Sequence, residues 1–488
     1  MSNDRASIDH ISALVTVSTS NTIERLSKRF DVRLFGAIGD GQPHPLSSRF
    51  GSLVDARRIF PHAETLADTL DWCAIQGAVN EAKAAGGGQV YVPAGTYVMG
   101  SRTLLMPDTP QGEDADDAVV LAGDGARNTV LRWSADTESR AWAVRLGKRH
   151  SYSRVVLRDL HLKGPAASSV RGRPPCRLSG VACSSGWRLE RVNVDHFYAD
   201  VGIWDDHTVH IDCEYGRGSF YGLYFDEGSI DFGDHLFFHC NIGGTLKACV
   251  AVSPTNQVEH CLFVDCHMGW SPYVFYRERG KPTRAFITNT RIIKTQAESV
   301  GNAWAWGENF DDRLDLIDKC CFEDIQFLRS AEHVIPGAPV AFCRVNSVWN
   351  SRIVGPHTIF GRYYDQVTDA YFDTRVFQGN AFVGGYFEAV VNSSADKPFL
   401  RASQACIFNI LREGEQFEGE LRTVGTPVKA GALLHADGLG ARDTGSAPLG
   451  VAAVEGRAGG AVPIVTRGLV TTQSSKRLVQ PAVQVVSA

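Results

Sequence analysis

Short apolar segments recur between about residue 155 and residue 411, and loops of variable length separate them. The mean step between the ends of successive segments is about 27 residues, and the individual steps vary. Variable loops between stacked strands are typical of a parallel β-helix, whereas a horseshoe repeat is more regular. We therefore predict an all-β chain of stacked parallel coils. The segment ends from which this mean step is taken are Leu162, Val194, Tyr215, Ile242, Met268, Ile292, Ile325, Ile353 and Val376.

Three cysteines support the stacking. Cys213, Cys240 and Cys266 each precede a segment end by two residues, so they share its strand face. The sequence has 12 cysteines and no CxxC pair. We interpret the three as reduced thiols in an internal ladder, in preference to a metal site or a disulfide framework. The histidines of this region lack a metal-ligand spacing and are expected at surface or core positions: His235, His239, His260 and His267.

The chain before the repeat has a different pattern. Residues Thr69–Ala85 carry apolar side chains at helical spacing, with Thr69 or Asp71 as the N-cap and three glycines after the last turn. Residues 32–41 predict a short strand that ends in a glycine turn, and residues 89–97 predict a strand and a turn. A single helix between short strands is therefore expected at the start of the fold.

Three pieces of this region carry a family resemblance. The sequences FGAIGDG (35–41), DWCAIQGAVNEA (71–82) and GGGQVYVPAGTY (86–97) follow one another in this order. They resemble the opening of pectate-lyase-like right-handed parallel β-helix proteins, and the additional stretch at 46–72 is similar to that of bacteriophage and prophage tailspike proteins. The resemblance covers residues 31–100. It implies a right-handed single-stranded β-helix, a homotrimer and cleavage of a surface polysaccharide, and it supplies no catalytic positions.

These patterns divide the chain into four predicted parts. Residues 1–30 are an N-terminal segment, either for attachment or disordered, and residues 31–110 open the β-helix with its short helical cap. Residues 111–418 form the β-helix body. Aromatic residues end at Phe417, and glycine, alanine and valine dominate residues 419–488. That composition predicts a small C-terminal β domain for trimerisation or attachment.

Composition and charge limit the classes of partner that we expect the chain to bind. Hydrophobic residues make up 44% and charged residues 21% of the chain, as in ordinary globular proteins. A formal charge of -5 gives no basic surface for nucleic acid or anionic lipid. No apolar run approaches the roughly 20 residues of a membrane span, and the N-terminus shows no secretory signal. We expect no nucleic-acid binding and no membrane insertion. The resemblance adds a phage virion tail as the location, after synthesis in the host cytoplasm and release by lysis.

The candidate chemistry lies on a second strand of five coils. The segments VGIWDD (201–206), YGLYFD (221–226), VAVSP (250–254), YVFYRE (273–278) and AWAWGE (303–308) can be aligned so that two outward columns result. The aromatic column, expected to bind substrate, contains Trp204, Tyr224, Val252, Tyr276 and Trp306. The column two residues further on contains Asp206, Asp226, Pro254, Glu278 and Glu308.

Paired carboxylates beside aromatic rings indicate glycoside hydrolysis, because sugar rings stack on aromatic faces and the cleavage needs two carboxyl groups. Neighbouring strands lie ~4.8 Å apart, so Asp206 with Asp226, or Glu278 with Glu308, has the separation of a retaining pair. Asp226 and Glu278 lie two strands apart, at ~9.6 Å, near the upper limit for an inverting pair. Glu227 is close enough to replace Asp226.

Other interpretations of these residues stay open. Arg277 is expected to orient a carboxylate or to bind an acidic sugar. A lyase needs a basic residue such as Lys247, Arg277 or Lys294, and often a calcium site, for which no acidic cluster is evident. The acidic cluster at residues 311–315 is expected in a solvated loop. Aromatic stacks also fill β-helix interiors, and carboxylates at strand ends also bind turn amides.

We predict a phage tailspike depolymerase, an endo-acting glycoside hydrolase without cofactor or metal. Its predicted substrate is a bacterial O-antigen or capsule, and its predicted protein partners are two further copies of the chain and a tail or baseplate protein. Two alternatives remain: a polysaccharide lyase of the same fold, and a non-catalytic receptor-binding spike or adhesin.

Overall fold

The computed structural model describes residues 28–108, 118–147, 153–165, 169–226, 233–354 and, beyond them, the strands given below. Within these residues the helices are few and short, and no helix is long and apolar enough to cross a membrane. The helices are Val32–Phe35, Leu46–Ser48, Leu53–Ile59, Leu70–Ala84 and Ala331–His333.

The first coil is closed by the predicted helix. Leu70–Ala84 begins after Thr69, whose side chain accepts a hydrogen bond from the Trp72 N–H at 3.3 Å, so Thr69 is the N-cap. In place of the strand predicted over residues 32–41, the chain forms a strand at Arg29–Asp31 and a 3₁₀ helix at Val32–Phe35. The Asp31 side chain caps that 3₁₀ helix by accepting from the backbone two residues on, which ends the strand early.

Asp71, the other predicted cap, instead fastens the glycine turn to the helix. Its buried carboxylate accepts hydrogen bonds from the backbone N–H groups of Ile38 at 2.7 Å, Gly39 at 3.2 Å and Val98 at 2.9 Å. Gly39 has φ +72°, and a Cβ there would lie 2.6 Å from the ring of Tyr97. The turn therefore requires glycine.

The body consists of parallel strands that follow one another around each coil and pair with the same strand of the next coil. Sheet 1 contains Leu104–Met106, Ala141–Leu146, Leu178–Cys183, Ala199–Ile203, Tyr221–Phe225, Ala248–Val252, Tyr273–Arg277, Ala303–Gly307 and Cys343–Arg344. Sheet 2 contains Arg29–Asp31, Gly88–Tyr91, Val119–Ala122, Val155–Arg158, Arg188–Glu190, Val209–Ile211, Leu236–Phe238, Leu262–Val264, Arg291–Ile293, Cys321–Glu323 and Arg352–Val354.

A third sheet completes each coil. Sheet 3 contains Gly95–Gly100, Thr129–Trp133, His161–Lys163, Asn193–Asp195, Glu214–Tyr215, Asn241–Gly243, His267–Gly269, Gln296–Val300 and Gln326–Arg329. A shorter row of paired strands contains Val258–Glu259, Ile287–Thr288, Leu316–Asp318 and Ser347–Trp349. This arrangement confirms the predicted all-β parallel β-helix.

The register of sheet 3 confirms part of the predicted repeat. Five predicted segment ends form one buried column: Leu162, Val194, Tyr215, Ile242 and Met268. The next member is Ala297, whereas the predicted Ile292 lies in sheet 2 beside Phe263 and Phe322. Both sheets send an apolar residue inward from each strand, so apolar character alone does not distinguish one sheet from the other.

The core is a stack of side chains along the coil axis. Phe237 and Phe263 of neighbouring coils stack with centroids 4.6 Å apart and an interplanar angle of 8°. Cys213, Cys240 and Cys266 are each at most 2% exposed in the same core, as the predicted thiol ladder requires. Repetition of one residue type at equivalent positions thus builds the interior.

Strand pairing changes towards the C-terminus. Phe372–Val383 pairs in parallel with Leu400–Arg412, which in turn pairs antiparallel with Glu415–Thr423. The remaining described strands are Leu433–His435, Pro448–Ala452, Ala461–Arg467 and Val483–Gln484. The division of the chain after residue 418 stays a prediction, and residues 1–27 of the predicted N-terminal segment lie outside the described residues.

Candidate functional site

The register of sheet 1 brings three of the predicted aromatic residues into one column. Successive partners are Gly202, Tyr224, Ala251, Tyr276, Trp306 and Arg344. Tyr224, Tyr276 and Trp306 therefore lie on neighbouring or next-neighbouring strands, as predicted. Asp226, Glu278 and Glu308 follow the same strands two residues later.

Trp204 and Asp206 lie elsewhere than predicted. Ile203 pairs with Phe225, which puts Trp204 opposite Asp226, and its indole nitrogen donates to Asp226 Oδ2 at 3.2 Å. Asp206 lies two residues further on, where it accepts from the hydroxyl of Ser185 and lies 3.1 Å from His207. The predicted alignment matched Trp204 to Tyr224 by ring type, and the true register is offset by two residues.

A second row of aromatic residues was missed. Tyr221 and Tyr273 lie three residues before Tyr224 and Tyr276 and belong to the same cluster outside the main core. The Tyr221 and Tyr224 rings stack 5.5 Å apart at 10°. Strict strand alternation would put positions three apart on opposite faces, so the sequence pattern does not indicate this row.

Glu278 is held by hydroxyl groups from two strands away. Tyr221 donates to its Oε1 at 2.8 Å and Tyr224 donates to its Oε2 at 2.9 Å. The intervening strand carries Ala248 and Ala251 at these register positions. Because the two alanines are small, the tyrosine rings reach across them to the carboxylate.

Glu308 completes a carboxylate pair. The Tyr276 hydroxyl donates to its Oε1 at 3.0 Å, and the Arg279 guanidinium lies 3.5 Å from its Oε2. Glu278 and Glu308 follow directly paired strands, for which the usual spacing is ~4.8 Å. The Asn309 side chain donates to the Glu278 carbonyl at 2.9 Å and so ties the two strand ends together. We call Tyr221, Tyr224, Tyr276, Glu278 and Glu308 the tyrosine–glutamate face.

Cationic side chains lie over the rings. Arg140 lies 4.3 Å from the ring centroid of Tyr198 and 5.0 Å from that of Tyr224. The Lys247 amino group lies 4.3 Å from the centroid of Tyr276, and burial lowers the pKa of Lys247 although Glu308 and Glu278 oppose the shift. Burial also raises the pKa of Tyr198 to about 12. The rings are neutral at ordinary pH and favour cations on their faces.

The aromatic rings form a packed layer rather than an open stacking surface. Tyr224 is 1% exposed, Tyr276 7% and Trp306 5%, because the rings and the cations cover one another. The carboxylates of Glu278 and Glu308 are partly exposed above this layer. The rings therefore position polar groups, and the carboxylates and cations form the accessible surface.

Two further predicted site residues are Arg277 and Glu227. Arg277 is fully buried, and its guanidinium donates to the carbonyls of Pro254, Asn256, Arg284 and Leu314, so it stabilises the chain interior and does not reach the tyrosine–glutamate face. It follows the outward Tyr276 by one residue, and strand alternation alone would have placed it inside. Glu227 lies outside the described residues.

The acidic cluster at 311–315 is only partly solvated. Asp311 is exposed and pairs with Arg375, but Asp315 is buried and accepts the backbone N–H of Asn309 at 3.1 Å. Burial raises the pKa of Asp315 to about 7, although the nearby Arg277 opposes the shift. Asp315 thus supports the turn that carries Glu308. In the described part of the chain, no group of three or more histidine, cysteine, aspartate or glutamate side chains is arranged to hold a metal ion.

Comparison with known proteins gives one sequence relative and several solved structures. No protein-family model matches the chain. Over 142 residues, 28% of the chain, it is 31% identical to the mannuronan C5-epimerase AlgE1 of Azotobacter vinelandii, and the match spans 8% of that protein.

The solved structures similar to the chain include two phage tailspikes and a glucanase. The tailspike of Pseudomonas phage phi297 is 13% identical with a TM-score of 0.39, over 91% of this chain and 97% of that chain. The tailspike of Pseudomonas phage LKA1 is 12% identical with a TM-score of 0.40, over 90% and 96% of the chains. The α-1,3-glucanase catalytic unit from Streptomyces thermodiastaticus is 14% identical with a TM-score of 0.41, over 80% and 64%.

The strand register described above establishes the fold. The chain is a parallel β-helix protein, and phage tailspikes are among the solved structures to which it is similar.

Proposed function

We propose that the chain is a tailspike depolymerase that hydrolyses a bacterial surface polysaccharide at the tyrosine–glutamate face. The observation that carries this proposal is the Glu278 carboxylate, both of whose oxygens accept a tyrosine hydroxyl, beside Glu308 on the neighbouring strand. Hydroxyl donors on both oxygens fit an ionised carboxylate, which can only accept hydrogen bonds. A fixed carboxylate beside a second carboxyl group is the arrangement that glycoside hydrolysis uses.

In the proposed reaction, Glu278 attacks the anomeric carbon while Glu308 gives its proton to the leaving glycosidic oxygen. Glu308 then deprotonates a water molecule, which displaces Glu278 from the same carbon, so that each cleavage consumes one water. One strand spacing of ~4.8 Å supports this retaining mechanism. Burial raises the pKa of Tyr224, so its hydroxyl stays a donor to Glu278 at neutral pH.

An inverting mechanism uses a different pair. Asp226 and Glu278 follow strands two apart, at ~9.6 Å, which leaves room for a water molecule between them. Asp226 receives the Trp204 indole N–H and lies near Arg140. The stereochemistry of the product separates the two pairs, because only the Glu278–Glu308 pair retains the anomeric configuration.

A polysaccharide lyase is the second candidate function, and Lys247 favours it. Its amino group lies over Tyr276, and its pKa is lowered by burial, as a general base requires. Arg140 and Arg344 would neutralise the carboxylate of an acidic sugar. In that reaction Lys247 removes the proton beside the sugar carboxylate, and a carbon–carbon double bond forms as the bond to the leaving oxygen breaks. Lys247 then gives the proton to the leaving oxygen, so no water is added.

The assembly and location belong to the same proposal. The motifs at 35–41, 71–82 and 86–97, which resemble the opening of tailspike β-helices, support a homotrimer at the tail of a virion with a tail or baseplate protein as a partner. Bacterial O-antigen or capsule is the substrate class that such a spike meets first.

The test compares four variants on a panel of purified O-antigens and capsules. Glu278→Gln and Glu308→Gln are expected to lower the release of reducing ends about 10³-fold while the polymer still binds. Glu81→Gln, on the exposed face of the capping helix, is the matched control and should keep full activity. Loss of activity in Asp226→Asn but not in Glu308→Gln would favour the inverting pair. Normal turnover by both glutamate variants would exclude the tyrosine–glutamate face as the active site.

A further inference from the structure

A second groove runs across sheet 3, away from the tyrosine–glutamate face. It has a volume of about 560 Å³, and its lining includes Asn193, Glu214, Asn241, Gly244 and Trp270. These residues belong to four successive coils. Three strand spacings amount to about 14 Å, so the groove is long enough for an extended ligand that lies along the coil axis.

Glycines keep the middle of the groove open. Five successive coils each have a residue with positive φ near the end of the sheet 3 strand, and these residues are His196 (+63°), Gly218 (+71°), Gly244 (+73°), Trp270 (+48°) and Ser299 (+55°). Gly218 and Gly244 satisfy this backbone without strain. These two coils therefore carry no side chain at this position, and His196 and Trp270 occupy it in the coils on either side.

Trp270 is the unexpected member of this row. A bulky residue in the left-handed region costs free energy, and such strain persists where a side chain has a task. Trp270 is 41% exposed, so core packing does not account for its presence. Its ring lies on the imidazole of His267, with centroids 4.6 Å apart at 36°, which fixes its position at the groove.

The wall of the groove is a ladder of hydrogen-bonding side chains. Consecutive outward residues in sheet 3 are His161, Asn193, Glu214, Asn241, His267 and Gln296. The Asn193 amide donates to Glu214 Oε2 at 3.0 Å, and His267 Nδ1 lies 3.3 Å from Asn241 Oδ1. Side chains that hold one another in this way offer donors and acceptors at a spacing of ~4.8 Å.

The far end of the groove is polar as well. Asp195 lies between two imidazoles, 3.0 Å from His161 Nε2 and 2.8 Å from His196 Nδ1. Exposed Arg217 borders the same end. The groove thus combines one exposed indole face with rows of amide, imidazole and carboxylate groups.

We propose that this groove binds a hydroxyl-rich oligosaccharide segment, with one sugar ring on Trp270 and its hydroxyls on the Asn193–Asn241 ladder. The inference rests on the proposed function, because the ligand is a second stretch of the polymer that the tyrosine–glutamate face cleaves. A sugar ring matches an aromatic platform with hydrogen-bonding groups around it. Binding at two places along one polymer raises the affinity for long chains above that for short ones.

The test measures binding of long and short glycans to variants in a Glu278→Gln background, so that the probe is not consumed. The long probe is the polymer of the O-antigen and capsule panel that the wild-type protein binds. The short probe is the shortest oligosaccharide that the wild-type protein releases from that polymer. Trp270→Ala should weaken binding of the long polymer at least tenfold and leave the short oligosaccharide unchanged. Trp270→Phe, which keeps a ring, should restore most of the affinity.

Trp349→Ala is the matched control, since Trp349 is 36% exposed on a strand outside sheet 3. Equal long-polymer affinity for Trp270→Ala and Trp349→Ala would overturn the second site and leave the proposed function intact. A change of oligomeric state in Trp270→Ala would also overturn it, because the groove would then be a subunit interface. A wild-type protein that retains no polymer would overturn both proposals.

Discussion

The two outer surfaces of this β-helix use the same strand geometry in opposite ways. On sheet 1, large rings pack until they are almost fully covered, and their hydroxyls point at Glu278 and Glu308. On sheet 3, glycines and short polar side chains leave an open groove with one exposed indole, Trp270. A packed layer fixes reactive groups in position, whereas an open polar ladder suits binding. The comparison therefore predicts different responses to mutation on the two surfaces.

Among the residues that position other groups, the tyrosine hydroxyls of sheet 1 should show the largest effect. The double variant Tyr221→Phe/Tyr224→Phe removes both hydrogen bonds to Glu278 but keeps the rings, so the packing of the layer should survive. We expect kcat to fall about 100-fold, because an unfixed carboxylate loses its orientation toward the substrate. Initial rates on the cleaved polymer measure the effect, and Tyr91→Phe, a surface tyrosine near the capping helix, serves as the control. An unchanged kcat would show that the two hydroxyls do not position the reacting group.

Much of sheet 1 follows from the sequence, and the errors have physical causes. Tyr224, Tyr276 and Trp306 share one column, as predicted, because each lies two residues before the acidic residue that follows its strand. Trp204 was misplaced because ring type suggested a register that the pairing of Ile203 with Phe225 excludes. The sequence pattern does not reveal a register error of this kind where the residues at both candidate positions are apolar or aromatic.

The sheet 3 groove could not be predicted in the same way. Asn193, Glu214 and Asn241 each precede a predicted segment end by one residue, so the sequence aligns them, but their side chains belong to no motif that indicates a site. Trp270 looks like an ordinary turn residue until its backbone angle and exposure are known. Sequence patterns indicate chemistry that is concentrated in a few reactive residues, and they do not indicate a binding surface whose side chains differ from coil to coil.

A smaller effect is expected at the polar end of the groove, where stability should depend on pH. Burial raises the pKa of Asp195, but hydrogen bonds from His161 and His196 outweigh it, and the pKa falls from 3.8 to about 2. Between about pH 2 and pH 4, Asp195 therefore binds fewer protons in the folded state than in the unfolded state. The stabilisation of the fold by the Asp195 charge is present above about pH 4 and is lost as the pH falls through about 2.

Asp195→Asn should lower the free energy of unfolding by about 2 kcal/mol at neutral pH. The difference from wild type should shrink as the pH falls from 4 to 2. Urea unfolding at several pH values measures this dependence, and exposed Asp234→Asn is the control. A difference that stays constant over this range would mean that the charge of Asp195 does not stabilise the fold.

The smallest expected effect is a gain in the free energy of unfolding, where the other variants lose activity or stability. Trp270→Gly relieves the left-handed backbone strain, so the variant should be as stable as wild type or up to about 1 kcal/mol more stable, while binding of the long polymer falls. Thermal unfolding and polymer binding are measured on the same preparation. A clear loss of stability would show that Trp270 contributes to packing, and the argument from strain would fail.

Mass spectrometry of products formed in H₂¹⁸O tests the central claim most directly. The account predicts oligosaccharides that carry one ¹⁸O at the new reducing end when wild-type protein cuts its polymer, and no such products from Glu278→Gln. Products without added water but with a new double bond would contradict hydrolysis and would favour the reaction at Lys247. Labelled products from Glu278→Gln at the wild-type rate would contradict the assignment of Glu278 altogether.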